Sequence, residues 1–156
     1  DSACAVGVVV VENGRVATRF YSLIRPPRPR VMFTHIHGLA WDDLRDAPSF
    51  PEIWPQIAPL LDGCAFVAAH NASFESRVLR ACTAAAAIAL EPPPFLCTVR
   101  LSRRVWGLYP TRLPDVCRAL RIPLVHHRAD SDAEACARIV IAASVHGAAI
   151  EEHLAA

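Results

Sequence analysis

The chain has 156 residues, enough for one domain with its own core, and 53% of them are hydrophobic, which excludes a disordered chain. The formal net charge is +1, so charge alone selects no partner, yet every Lys/Arg position is arginine and seven of them fall between Arg100 and Arg128 with a single acid, Asp115, before Arg128. The six cysteines form no C-x-x-C pair, which argues against a zinc ribbon and favours small buried hydrophobes in a reducing, cytoplasmic setting without disulfides.

The Val-rich run of residues 3–12 reads as a buried strand. It is too short to span a membrane, and no basic segment precedes it, so neither a transmembrane helix nor a signal peptide is expected. Asn13-Gly14 is a two-residue hairpin signal, and residues 15–24 answer as the antiparallel partner. A Pro- and Arg-rich loop follows from Arg25 to Arg30. Residues 39–46 predict a short helix and residues 51–61 another, with Pro51 suited to a first turn and Pro55 and Pro59 disturbing its regularity. Residues 64–69 predict a strand, and Asn71 is placed to cap a helix running through about Ala86. A strand is expected at Phe95–Thr98 and helices at 99–106, 113–120 and about 130–145, the last ended by Gly147. A hairpin followed by alternating strands and helices predicts an α/β domain with a mixed sheet, antiparallel hairpin plus parallel strands, and helices on both faces.

Two acids stand out against this frame. Asp132 heads an apolar helical stripe formed by Ala135, Cys136, Ile139, Val140 and Ala143, whereas Asp130 and Glu134 fall on the side expected to face solvent. Glu75 heads a similar stripe of Val78, Leu79, Cys82 and Ala86. An enclosed, unpaired carboxylate costs several kcal/mol, and a helix N-terminus returns only about 0.3–1 kcal/mol. A hard divalent cation such as Mg²⁺ or Mn²⁺ would stabilise both acids far more. Taken singly, each acid reads better as one that favours its helix dipole or pairs with an arginine; taken together with the histidine and motifs that follow, they outline a metal site. His127 lies in the loop just before Asp132, where an imidazole can accept a proton from water.

These motifs resemble the DnaQ-like DEDDh 3′–5′ exonucleases. His127-Arg-Ala-Asp-Ser-Asp132 is similar to the family's third motif and His70-Asn71-Ala72-Ser73-Phe74-Glu75 to its second. Ile36-His37-Gly38-Leu39, Leu96-Cys97-Thr98-Val99-Arg100-Leu101 and Leu113-Pro114-Asp115-Val116-Cys117 also resemble family segments, so the likeness runs over roughly residues 3–145. Glu75 departs from the pattern, which has the shorter Asp there. The family's first motif, Asp-x-Glu, lies on a strand ahead of residues 3–12, and Asp1-Ser2-Ala3 is not that motif. The resemblance therefore implies a single RNase H-like exonuclease domain, residues 1–156, whose first strand is expected upstream, and a chain weakly active or inactive by itself.

The resemblance further implies two divalent cations, Mg²⁺ or Mn²⁺, with Asp132 a direct ligand, Glu75 supporting the second ion and His127 the general base. His37, Gly38, Asn71 and Arg128 would line the substrate path, with the other arginines of 100–128 holding phosphates. The substrate would be the 3′ end of single-stranded DNA or RNA. Partners would be a DNA polymerase or another replication or repair protein, with no membrane. An alternative is a module of the same fold that docks nucleic acid or polymerase without cleaving. A further alternative, an unrelated metal hydrolase built on His35, His37, His70, His126 and His127, lacks any recognised ligand spacing.

Overall fold

The structure is a computed structural model and describes residues 3–154. The first element is an antiparallel hairpin of β1 (Ala5–Glu12) and β2 (Arg15–Leu23). Its turn has positive φ at both Asn13 (51°) and Gly14 (72°), the backbone that an Asn-Gly pair supplies at least cost. The register pairs Val8 with Phe20 and Val9 with Arg19, and slips by one residue beyond Val10, leaving a bulge.

Because side chains alternate along a strand, the hairpin has two distinct faces. Val6 and Phe20 pack with Ile24, Ile53 and Ile57 against α3 (Phe50–Leu61). Gly7 points the other way, onto the first turn of α7 (Ala129–Val145), where a Cβ would run into the Ala129 carbonyl. Arg19 shares that second face and forms a forked pair with Glu134 of α7, Nε–Oε2 2.9 Å and Nη2–Oε1 3.1 Å. Helices thus cover both faces of the hairpin, as expected.

Between hairpin and α3 the chain makes two single-turn helices, α1 (Thr34–His37) and α2 (Trp41–Leu44); only the second falls within the predicted 39–46. α3 keeps its prolines: Pro51, Pro55 and Pro59 recur every four residues on the exposed stripe, so the carbonyls they leave unbonded face water. Its start is fixed by Glu52, whose carboxylate accepts the Ser49 N–H and Oγ–H, both at 2.6 Å.

The second half holds a parallel pair, β3 (Val67–Ala69) and β4 (Phe95–Cys97). α4 (Ala72–Ala85) follows β3, and α5 (Thr98–Trp106) follows β4 directly. α6 (Leu113–Leu120) precedes α7, and a short 3-10 turn at Ile150–His153, not anticipated from the sequence, brings Leu154 back to bridge Leu96. Leu96, Leu101, Val116, Ala135, Ile139 and Ala143 are fully buried in one cluster. Burial of each large side chain among them is worth about 1.5–3 kcal/mol. The predicted stripe of α7 is the centre of this core.

The antiparallel and parallel pairs form two separate ladders, β1–β2 and β3–β4. α7 packs on β1, β2 and β3 and holds the two together. A continuous mixed sheet would require one strand hydrogen-bonded to both ladders, and among the described residues none does so.

Candidate metal-dependent active site

In a parallel α/β pair, helices start where the strands end. Here α4 and α5 begin at the carboxyl ends of β3 and β4. Their first turns converge on Cys97: burial raises the thiol's pKa, but the backbone N–H groups of Arg100, Ala72, Val99 and Asn71 outweigh it and bring the value below normal. α7 packs on both β3 and α5.

Glu75 is half-buried in the first turn of α4, and its Oε2 is enclosed without a hydrogen-bond donor. Burial, then the negative charge of Asp132, raises its pKa from 4.5 to about 7. Asp132 has 29% of its side chain exposed. Its charge is also felt by His70 at the end of β3, by Cys117 in α6 and by Cys136 in α7. Burial first, then this charge, pushes Cys117 up to about 11; burial, with Glu75 and Asp132 adding to it, pushes Cys136 up to about 12. The charge of Asp132 on α7 thus reaches Glu75 on α4, and both side chains are partly buried.

His70 is committed to structure. Its Nε2–H donates to the Thr111 carbonyl at 2.9 Å, so Nδ1 accepts from Thr98 Oγ1, also at 2.9 Å. Burial lowers its pKa and favours this neutral form.

The imidazole nitrogen bonded to Asp132 belongs to His126: Nδ1 lies 3.3 Å from Oδ1. His127 has positive φ (68°) and stacks on His126, ring centroids 3.7 Å apart. Ligand atoms of His126, His127 and Asp132 all fall within 4.8 Å of one another. The sequence offers His126 only in the alternative metal-hydrolase reading, and the exonuclease resemblance gives it no role; the signal is the His pair itself, just ahead of the helix that carries Asp132.

Other expected contributors are placed differently from one another. His37 is saturated within its own loop: Nδ1 accepts the Leu39 N–H at 3.1 Å and Nε2 meets the Met32 carbonyl at 2.8 Å, with Cys4 Sγ at 3.8 Å. Gly38 ends α1 with φ 76° and open space around it. Asn71 occupies the residue before α4 but in left-handed conformation (φ 70°), without capping; its Oδ1 accepts from Ser73 Oγ at 3.3 Å instead. The expected cap is thus corrected, because that backbone turns the side chain away from the helix N–H groups. Arg128 pairs with Asp130 (2.8 Å), and Glu134 with Arg19 and Arg138, so Asp130 and Glu134 are not the solvent-facing acids anticipated. The arginine pairs, through hydrogen bonds first, hold Glu134 down at about 2. The seven arginines from Arg100 to Arg128 are all exposed.

Residues 1–140 match the model of the RNase T family, described as "Exonuclease". The chain belongs to this exonuclease family. It is 31% identical over 137 residues to a 3′-5′ exonuclease DinG of Bacillus subtilis, covering 86% of this chain and 15% of that protein. It is 26% identical over 143 residues to a PolC-type DNA polymerase III of Thermotoga petrophila, covering 90% of this chain and 10% of the polymerase. The chain therefore spans about a tenth of the length of such polymerase relatives. Among solved structures it resembles exonuclease X in complex with 5′ overhanging duplex DNA, with TM-score 0.76 at 24% identity over 97% of this chain and 88% of that one. It also resembles the nuclease domain of 3′hExo, a DEDDh family member bound to rAMP, with TM-score 0.71 at 15% identity over 85% and 74% of the respective chains. The fold is that of the DEDDh exonucleases, an RNase H-like α/β domain. No helix among the described residues is long and apolar enough to cross a membrane.

Whether the residues fit a divalent cation turns on Glu75. A buried carboxylate oxygen with no donor, repelled by a second carboxylate, is costly unless a cation or proton satisfies it. Oxygen donors of this kind suit Mg²⁺ or Mn²⁺, so the fit is good.

Proposed function

We propose that this domain is a metal-dependent nuclease that removes nucleotides from the 3′ end of a single DNA or RNA strand. The observation that carries the reading is the Glu75 carboxylate, whose Oε2 is enclosed without a partner and which feels the charge of Asp132 from a separate helix. Asp132 and Glu75 would hold divalent cations, which when bound supply charge neutralisation at the scissile phosphate. His127, exposed at the mouth of the site, accepts the proton of the attacking water. Arg128 leaves Asp130 to take a substrate phosphate, and the exposed arginines after Arg100 guide the strand, so affinity falls as salt rises. Gly38 and Asn71 leave open surface for the terminal nucleotide, and His37 stiffens the loop beside it. A polymerase or another replication or repair protein is the expected companion, in the cytoplasm.

The test is nucleotide release from 3′-labelled single strands with Mn²⁺, using the chain and a form extended upstream of Asp1. Stepwise release that falls about 10²–10⁴-fold in His127→Ala supports the reading. Undiminished release in that variant removes His127 from the chemistry. Strand binding without release from the extended form favours a docking module instead.

A further inference from the structure

His126 is the residue of this site that the nuclease reading does not use. Its Nδ1 stands 3.3 Å from Asp132 Oδ1, its ring stacks on His127, and the three residues offer donor atoms within 4.8 Å of one another. Two imidazoles and one carboxylate form a different donor set from the two carboxylates that suit Mg²⁺. Imidazole nitrogen is a poor ligand for hard Mg²⁺ and a good one for Zn²⁺ and its transition-metal neighbours.

The geometry agrees. Zinc–nitrogen and zinc–oxygen bonds of about 2.0–2.1 Å set the edges of a tetrahedron at about 3.4 Å. The His126–Asp132 spacing already matches one edge. His127 is exposed and its donor atom lies within 4.8 Å of the other two; unstacking its ring from His126 would bring it toward the remaining edges and leave the fourth corner to water. The loop is also held in place: the Val125 N–H donates to Ser131 Oγ at 2.8 Å, the Arg128 N–H to the Val125 carbonyl at 3.3 Å and the Asp132 N–H to the Arg128 carbonyl at 2.9 Å. Such pre-ordering lowers the entropic cost of capturing an ion.

We infer that His126, His127 and Asp132 form a binding site for a zinc-class transition-metal ion. Its consequence, which rests on the nuclease reading, is regulatory. An ion held there ties up the lone pair that His127 needs to accept a proton, together with the carboxylate of Asp132. Zinc would keep the domain off, and Mg²⁺ would not displace it.

The test needs no nucleic acid. Metal-stripped chain is titrated with Co²⁺ while the visible absorption of tetrahedral cobalt is followed, then challenged with Zn²⁺ and with excess Mg²⁺. One bound Co²⁺, displaced by Zn²⁺ and not by Mg²⁺, is expected. Binding should weaken more than ~100-fold in His126→Gln and in His127→Gln, beyond the roughly 10–100-fold that loss of an outer-shell contact gives, with unchanged circular dichroism. Parent-like affinity in either variant, or no tetrahedral cobalt signal, overturns the inference. So does a near-ultraviolet thiolate-to-cobalt band that survives in both variants, because the cysteines would then be holding the ion. Nucleotide release in zinc-free buffer tests the nuclease reading separately, so either idea can fail without the other.

Discussion

Replacing Glu75 by Gln removes a charge while keeping the side chain's shape. Folding raises the Glu75 pKa from 4.5 to about 7. Each tenfold change in proton affinity corresponds to ~1.4 kcal/mol, so complete enclosure would destabilise the ionised native state by ~3 kcal/mol. The carboxyl is only partly enclosed, and solvent screening reduces this to about 1–2 kcal/mol. The sign follows from proton linkage. Between pH 4.5 and about 7 the native state holds a proton that the unfolded chain has released, so stability falls as pH rises through that window and the loss is complete above it. His70, whose pKa burial lowers from 6.5, has the opposite slope, which cancels when variant and parent are compared at each pH. In metal-free urea denaturation at pH 8, Glu75→Gln should therefore be about 1–2 kcal/mol more stable than the parent, with the difference shrinking toward zero near pH 4. Saturating Mn²⁺ should reverse the order, since an ion at a hundred times its dissociation constant adds about 2.7 kcal/mol to the protein that binds it. A variant less stable than the parent at pH 8 without metal, or an equal Mn²⁺ effect on both, would refute the reasoning.

Gly7→Ala should destabilise the fold by about 1–3 kcal/mol in the same denaturation assay, because the new methyl meets the Ala129 carbonyl; a stabilised variant, as Ala normally gives in a strand, would mean that α7 does not sit on β1 as described. Iodoacetamide at neutral pH, followed by peptide mass mapping, should alkylate the half-exposed Cys97 before buried Cys117 and Cys136, since the converging N–H groups lower the first thiol's pKa while burial raises the others. In Arg19→Ala, the Glu134 carboxyl should titrate above its parent value of about 2 yet still below 4.5, because Arg138 remains bonded to it; a carbon-detected NMR titration reads this directly, and an unmoved value would remove the β2–α7 clamp.

What the sequence settled by itself were the features with local causes. Asn13-Gly14 dictated the hairpin, because few residue pairs accept positive φ twice in succession. The spacing of Ala135, Cys136, Ile139 and Ala143 fixed both the existence of α7 and the face it buries. The same periodicity placed Glu75 and Asp132 at the heads of apolar stripes, and both side chains are partly buried. What tertiary structure decided were the features that depend on which surfaces meet. Periodicity could not tell that Glu134 would find Arg19 across the hairpin, nor that the His37 ring would be used up within its own loop. It could not rank His126 against His127 either, because that order comes from a left-handed backbone at His127 and a bond to Asp132. Local pattern sets which side of an element seeks burial; only the packed chain determines which charges end up sharing that buried space.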